Sequence, residues 1–148
     1  MKLSTRACYG ARAMLELALC YGNGLTSVKN IAKSQEISRR YLEHLIVSLQ
    51  AVGLVKTIRG KKGGCILAKP PSEIKLGEIV EALEGPVAPV DCVVYSKLCP
   101  REKLCVTRDI WIKMKEAIVN VLNSITLQDM IKWQKEKLKS TETPVYYI

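Results

Sequence analysis

The sequence lacks several features that would mark membrane, secreted or catalytic proteins. No apolar run approaches the roughly 18 residues of a membrane span, and Arg12 and Glu16 interrupt the apolar N-terminal stretch without a cleavage site after it. The single histidine, His44, does not lie in a grouping of nucleophile, base and orienting residue. We therefore expect a cytoplasmic protein that is not an enzyme and has no membrane partner.

Acidic residues are scarce in the first half of the chain. Residues 1–70 contain 12 Lys/Arg and 3 Asp/Glu, whereas residues 71–148 contain 11 of each. The whole net charge of +9 therefore lies in the first half. Because Lys and Arg side chains displace counterions from phosphates, this distribution predicts a nucleic-acid partner.

The six cysteines do not form the regular framework of a disulfide-rich secreted protein. Three of them, Cys8, Cys20 and Cys65, lie singly in apolar or glycine-rich stretches, and the other three are clustered. We expect Cys20 and Cys65 to pack in the core, and Cys8 to be either a small buried filler or a functional thiol.

The N-terminal segments predict three helices. Residues 3–21 form an amphipathic helix, followed by a short helix over 28–33 capped by Ser27 and a third helix capped by Ser38 that ends at Gly53. The predicted buried positions are Ala7, Ala11, Met14, Leu15 and Ala18 in the first helix, and Leu42, Leu45, Ile46, Leu49 and Val52 in the third. The third helix leaves Arg39, Arg40, Glu43 and His44 on its other face, as a recognition helix does.

Two short strands, 54–58 and 65–68, flank a tip rich in glycine and basic residues. Residues 54–69 contain five Lys/Arg and no acid, with Arg59, Lys61 and Lys62 at the tip. A basic hairpin beside a recognition helix suits an electronegative minor groove. We therefore predict a mainly α fold with a small β-hairpin wing: a winged helix-turn-helix domain with a long dimerisation helix.

A cysteine loop follows the predicted helix over 76–84. Cys92, Cys99 and Cys105 are separated by six and then five residues, so their thiols can converge on one point. Thiolates are soft ligands, and these gaps are wider than those of structural zinc sites. The pattern favours an iron-sulfur cluster, with zinc and a metal-free redox loop as alternatives, and the fourth ligand is not local.

The last part of the chain predicts a long helix that is apolar on two faces, including Ile110, Met114 and Val121 on one side. Such a helix needs cover from a partner, so we expect a symmetric homodimer. Thr126 and Asp129 predict a capping box for a final helix to about residue 138. The expected segments are the DNA-binding domain 1–85, the cysteine loop 86–108, the dimerisation helices 109–138, and a tail 139–148 without assigned function.

The ordered motifs of this chain resemble those of the IscR- and NsrR-type bacterial iron-sulfur winged-helix transcription regulators, up to about residue 138. The landmarks are Met1–Leu15, Tyr41–Glu43, Gly53–Val55, Arg59–Gly60 with Gly63–Gly64, and Cys105–Thr107 followed by Trp111.

This resemblance implies a homodimer that binds double-stranded promoter DNA and controls iron-sulfur cluster biogenesis genes. It also implies a cluster, [2Fe-2S] or alternatively [4Fe-4S], held by Cys92, Cys99 and Cys105. Glu43 corresponds to the base-discriminating residue and Arg59 to the wing arginine of the minor groove. The implied DNA-contact set is Ser38, Arg39, Arg40, Tyr41, Glu43, His44, Arg59, Lys61 and Lys62.

The fourth ligand is where this chain departs from the IscR pattern. IscR-like proteins have a histidine three positions after the last cysteine, and Arg108 stands there in this chain. NsrR-like proteins take a carboxylate from the partner's N-terminal helix, and the matching residue here is Cys8. The candidates are therefore Cys8 of the partner chain, Asp91 and Asp109.

We expect cluster gain or loss to reorder residues 91–107, shift the dimer helix and change DNA affinity. The alternatives are an NsrR-like nitric oxide or redox-sensing repressor and a cluster-free thiol or zinc sensor. An electron-transfer protein is the remaining alternative, but it would have no need of the basic wing.

Overall fold

The computed structural model describes residues 2–141 and confirms the predicted fold class, a mainly helical chain with one β-hairpin. The elements in order are α1 (Thr5–Leu19), α2 (Val28–Gln35), α3 (Arg39–Ala51), β1 (Val55–Ile58), β2 (Gly64–Leu67), α4 (Leu76–Glu84), α5 (Val106–Ser124) and α6 (Leu127–Thr141). Residues 142–148, most of the predicted tail, lie outside the described residues.

Serine caps define the helix-turn-helix, as the sequence predicts. The Ser27 side chain accepts a hydrogen bond from the Asn30 backbone N–H at 3.1 Å, and Ser38 accepts one from the Tyr41 N–H at 3.2 Å. Each bond satisfies a donor in the first turn that has no partner within the helix. Between the helices, Glu36 adopts the left-handed conformation (φ 53°) and turns the chain.

The wing is an antiparallel two-stranded sheet in which Val55 pairs with Leu67 and Ile58 pairs with Gly64. Gly60, at φ +117°, provides a backbone conformation at the tip that other residues rarely adopt. The tip closes with a backbone hydrogen bond of 3.0 Å from the Gly63 N–H to the Gly60 carbonyl. Cys65, which is part of β2, is fully buried in the core, as predicted.

The core lies between α1, α3 and α4 and includes the start of α6. The buried face of α1 differs from the prediction, because Ala13 and Leu17 are buried whereas Ala11 and Leu15 are only half-buried. The close approach of α4 explains the difference, since a Cβ on Gly10 would overlap the Leu83 side chain. The fully buried side chains include Met14, Leu45, Leu49, Ile79 and Leu127.

Three single-residue expectations about burial are corrected. Val52 was expected in the core but is 56% exposed, because α3 ends at Ala51 and Val52, its C-cap residue, no longer continues the helical stripe. Cys8 is exposed on α1 and is therefore not a buried filler. Cys20 is half-buried rather than part of the closed core.

The junction between α5 and α6 is tied to the winged domain by backbone hydrogen bonds. The Leu76 N–H donates to the Ile125 carbonyl at 2.8 Å, and the Leu127 N–H donates to the Ile74 carbonyl at 2.9 Å. The predicted Thr126–Asp129 capping box is confirmed, with the Asp129 N–H donating to the Thr126 hydroxyl at 3.2 Å. The C-terminal end of α5 is thus anchored to the domain that carries α3.

None of the 19 residues of α5 is buried. The apolar side chains Val106, Ile110, Met114 and Val121, at 73%, 50%, 41% and 58% exposure, follow one stripe of the helix. Within residues 2–141, no helix combines the length and apolar character needed to cross a membrane.

Candidate nucleic-acid interface and cysteine loop

The exposed face of α3 carries the predicted recognition residues Arg39, Arg40, Glu43 and His44. The Arg39 Nε donates to Glu43 Oε1 at 2.9 Å, one turn apart, and the two side chains are 65% and 49% exposed. Exposed pairs of this kind contribute little stability in water. Both charges therefore remain accessible to a ligand that approaches this face.

Two members of the predicted contact set also have structural roles. The Ser38 hydroxyl caps α3, and the half-buried Tyr41 ring meets the Tyr9 ring edge-on, with centroids 6.0 Å apart and planes at 86°. Such edge-to-face pairs stabilise aromatic packing. Tyr41 thus connects α3 to α1, and its contact with DNA stays a prediction.

A groove of about 380 Å³ lies between the N-termini of α2 and α3 and the wing. Its lining includes four cations, Lys29, Arg39, Arg59 and Lys61, and the carboxylate of Glu43. This excess of positive charge suits a phosphate backbone. Lys29 is missing from the predicted contact set, although its place two residues after the Ser27 cap was a signal that could have identified it.

The wing is held against α3 by a side-chain hydrogen bond. The Thr57 hydroxyl donates to Gln50 Oε1 at 2.9 Å, which connects β1 to the recognition helix. Arg59, Lys61 and Lys62 are all exposed at the tip. The structure therefore brings the predicted wing residues to the same side as the charged face of α3.

A polar network, which we call the turn brace, connects α1 to the helix-turn-helix and was not anticipated. Arg12 Nε donates to Gln35 Oε1 at 3.0 Å, and Arg12 Nη2 donates to the Gln35 carbonyl at 2.6 Å. Gln35 Nε2 in turn donates to Glu16 Oε2 at 2.8 Å, and the Arg12 guanidinium carbon lies 5.6 Å from the Tyr9 ring centroid. The turn brace thus holds Gln35, the last residue of α2 before the turn at Glu36.

The loop cysteines lie on irregular backbone that leads into α5. Cys92 is in a short 3-10 turn, Cys99 follows another such turn, and Cys105 is the N-cap residue of α5. All three are half-buried. In the part of the chain that the structure describes, no three His, Cys, Asp or Glu side chains form a group able to hold a metal. The expected convergence of the thiols is therefore absent from this single chain.

Cys105 has the electrostatic features of a reactive thiol. Hydrogen bonds from the Thr107 hydroxyl, with Sγ and Oγ1 3.2 Å apart, and from the Arg108 backbone N–H lower the pKa of Cys105 below its usual value. By contrast, burial raises the pKa of Cys65 to about 11. The thiolate is the form that binds metals and attacks oxidants, so Cys105 is suited to either chemistry.

Arg108 occupies the position of the IscR-type histidine but is engaged in structural contacts. Its Nη2 lies 3.1 Å from Glu102 Oε1, and its Nε donates to the Cys92 carbonyl at 3.3 Å. A guanidinium has no free lone pair for a metal. The donor chemistry of three thiols fits an iron-sulfur group, whereas Arg108 cannot complete the set.

The candidate fourth ligands are accessible but dispersed. Cys8 is exposed on α1, Asp91 is exposed directly before Cys92, and Asp109 is exposed in the first turn of α5. His44 lies on the charged face of α3 instead. The ligand roles of Cys8, Cys92, Cys99 and Cys105 stay predictions.

Comparison with known proteins places this architecture in a family. Residues 3–133 match the Rrf2 family model, described as an iron-dependent transcriptional regulator. The HTH-type transcriptional regulator CymR of Bacillus subtilis is 41% identical over 133 residues, which cover 90% of this chain and 91% of CymR. The structure of CymR, the global cysteine regulator of B. subtilis, covers 90% of this chain and 98% of its own, with a TM-score of 0.77 and 40% identity.

The structure of T. potens IscR is similar to the same degree. It shares 42% identity and a TM-score of 0.76, and the match covers 93% of this chain and 90% of that one. These relatives are regulators and not enzymes, which confirms the predicted functional class. The chain therefore belongs to the Rrf2 family of DNA-binding transcriptional regulators.

Proposed function

We propose that this regulator binds promoter DNA sequence-specifically as a homodimer, and that its affinity depends on an iron-sulfur cluster held by the cysteine loop. The observation that carries the proposal is the placement of three thiols directly before α5, with Cys105 at its N-cap position. A change at these thiols therefore acts on the N-cap residue of the helix proposed to form the dimer.

The DNA-binding part of the proposal rests on charge and shape. The recognition face of α3 and the basic wing border one groove, and residues 1–70 hold 12 Lys/Arg and 3 Asp/Glu. Arg59 is proposed to enter the minor groove while Glu43 faces base edges in the major groove.

The homodimer is supported by α5. Its apolar stripe is uncovered in the single chain, and a second copy offers the same stripe for a two-fold interface. Cys105 is the N-cap residue of α5, and Ile125, its C-cap residue, accepts the backbone hydrogen bond from Leu76, so α5 connects the thiols to the winged domain. A shift of α5 would therefore change the spacing of two α3 helices in the dimer.

The residues proposed to hold the cluster are Cys92, Cys99 and Cys105, with Cys8 of the partner chain, Asp91 or Asp109 as the fourth donor. A [2Fe-2S] group is the proposed type, and [4Fe-4S] is the alternative. Such a group supplies a redox-sensitive link between its ligands. The hydrogen bonds that lower the pKa of Cys105 favour its thiolate, the form that would bind iron.

Iron analysis and absorption and Mössbauer spectra of anaerobically purified protein test the proposal. Single replacement of Cys92, Cys99 or Cys105 by Ser should remove most of the iron, whereas the control variant Cys20→Ser should retain it. Operator affinity should change with iron content in the parent protein. Equal iron loss in all four variants would show that these thiols are not the ligands.

A mixed dimer tests the fourth donor. A Cys8→Ala chain is combined with a Cys92→Ser/Cys99→Ser chain, so each homodimer lacks a complete ligand set. The heterodimer retains one full set, formed by the first chain's loop and the second chain's Cys8, and should regain about half of the native cluster absorption. A Cys8→Ala homodimer with native absorption would exclude Cys8 and favour Asp91 or Asp109.

A second candidate function is a cluster-free thiol sensor. It is favoured by the dispersed thiols of the described residues, by Arg108 at the position of the IscR-type histidine, and by the similarity to CymR, a cysteine regulator. Here the Cys105 thiolate would attack one oxygen of a peroxide and become a sulfenic acid, while the O–O bond breaks and the other oxygen leaves as hydroxide or alkoxide. Iron-free protein whose DNA binding responds to peroxide, and loses that response in Cys105→Ser, would support this alternative.

A further inference from the structure

The recognition face of α3 contains an apolar side chain that the charged residues do not explain. Val47 is 64% exposed, whereas the other branched aliphatic side chains within α3 are buried. The buried set is Leu42, Leu45, Ile46 and Leu49.

Helix geometry places Val47 among the predicted DNA-contact residues. It follows Glu43 by four positions and His44 by three, so these three side chains share one face. Side chains on a helix tilt toward its N-terminus, which directs the Val47 isopropyl group over the turn that carries Glu43 and His44. If α3 enters the major groove, Val47 stands on the surface that faces base edges.

Stability does not account for valine at this position. An exposed side chain gains little from burial, and valine has a lower helix propensity than alanine. Single apolar residues are common on protein surfaces. Val47 differs in its position, because its neighbours on the same face are the charged and polar residues expected to contact DNA.

The major groove presents one apolar group, the C5 methyl of thymine. We infer that Val47 contacts a thymine methyl group in each operator half-site and thereby contributes to sequence specificity. This inference rests on the proposed binding of DNA by α3, and it identifies one base that the protein recognises.

The expected effect is small but measurable. Burial of one methyl group corresponds to about a fourfold change in affinity per half-site, or ~0.8 kcal/mol at 1.4 kcal/mol per tenfold change. Val47→Ala should therefore weaken binding about fourfold or more per half-site, without a change in fold, because the side chain is exposed.

Val52 provides a matched control in the same protein. It is 56% exposed and is the C-cap residue of α3, beyond the turns that carry Glu43 and His44. It borders a groove with Glu78 and Ala82 of α4, away from the recognition face. Val52→Ala thus removes the same two methyl groups outside the proposed contact.

The test uses a duplex that the native full-length protein selects from a random-sequence pool. Each thymine is replaced singly by deoxyuridine, which removes only the methyl group, and dissociation constants are measured by fluorescence anisotropy. At one thymine position of the half-site, replacement by deoxyuridine should lower the affinity of the native protein and of Val52→Ala about fourfold. Val47→Ala should bind the thymine and the deoxyuridine duplex equally.

Two results would overturn the inference. The native protein could be insensitive to every thymine replacement, or Val47→Ala could keep the native sensitivity at every position. In both cases tight binding to the selected duplex would leave the proposed function intact. A pool that yields no preferred sequence would instead refute sequence-specific binding, and the Val47 contact with it.

Discussion

Replacement of Arg12 by alanine should reveal how much the turn brace contributes to DNA binding. Arg12 makes two hydrogen bonds to Gln35, one of them to a carbonyl at the C-terminal end of α2, and it lies over the Tyr9 ring. The substitution removes the side-chain donor of the Gln35 carbonyl, which then bonds only to solvent, and removes a cation from the negative end of the α2 dipole. The turn before α3 then loses its main side-chain restraint.

The magnitude follows from these contacts. Exposed hydrogen bonds contribute about 0.5 kcal/mol each at the low end of their range, and an exposed cation–π contact contributes about 0.5 kcal/mol. Together they sum to ~1.5 kcal/mol, which corresponds to a decrease in Tm of about 5 °C for a chain of this size. If all of this free energy favours the DNA-competent orientation of α3, affinity falls by at most about 12-fold per operator half-site.

Arg6→Ala is the matched control for this experiment. It also removes one positive charge from α1, and its own bonds run to the Leu83 carbonyl at 3.2 Å and the Ser48 hydroxyl at 3.5 Å, away from the turn. Circular dichroism gives Tm, and anisotropy at 20 °C gives operator affinity for both folded variants. If Arg12→Ala loses stability as expected but binds as tightly as Arg6→Ala, the brace has no role in recognition.

Three further outcomes are expected. For each Arg59 of the dimer, Arg59→Ala should weaken operator binding by about 1–3 kcal/mol and reduce the slope of log K against log salt by about 0.9, and an unchanged slope in a salt titration would contradict the wing contact. Iodoacetamide at pH 7, followed by mass spectrometry, should modify Cys105 before Cys65, because hydrogen bonds lower the pKa of Cys105 whereas burial raises that of Cys65 to about 11; equal rates would contradict this order. Burial opposes ionisation of Glu78, but hydrogen bonds from the Lys75 backbone and the Lys69 side chain outweigh it and lower the Glu78 pKa. The contribution of Glu78 to stability should therefore be complete above the unfolded pKa of about 4.3 and decline as pH falls through the lower folded pKa. In an acid denaturation series, Glu78→Gln should lose less stability than the native protein, and an equal loss would contradict this prediction.

Local signals in the sequence predicted the winged domain well, because they act within a few residues. Ser27 and Ser38 cap their helices through hydrogen bonds to N–H groups three positions away, so their roles are visible without tertiary contacts. The segment 76–84 coincides with α4, and Gly85, at a positive φ of 80°, ends it. The exposed face of α3, which we propose to contact DNA, follows from the same periodicity that buries Leu42, Leu45 and Leu49.

Contacts between distant segments determined the structural features that the periodicity of the sequence could not predict. The buried stripe of α1 is centred on Ala13 and Leu17 because α4 approaches at Gly10, and the pairing of Arg12 with Gln35 needs two helices in a particular orientation. Arg108 is held by Glu102 and the Cys92 carbonyl, a set of contacts that its position after Cys105 does not reveal. The spacing of the three loop cysteines shows that their thiols could reach a common point, but it does not show where the folded loop places them. In the described residues no three metal-binding side chains form a group, so the ligand set stays a proposal.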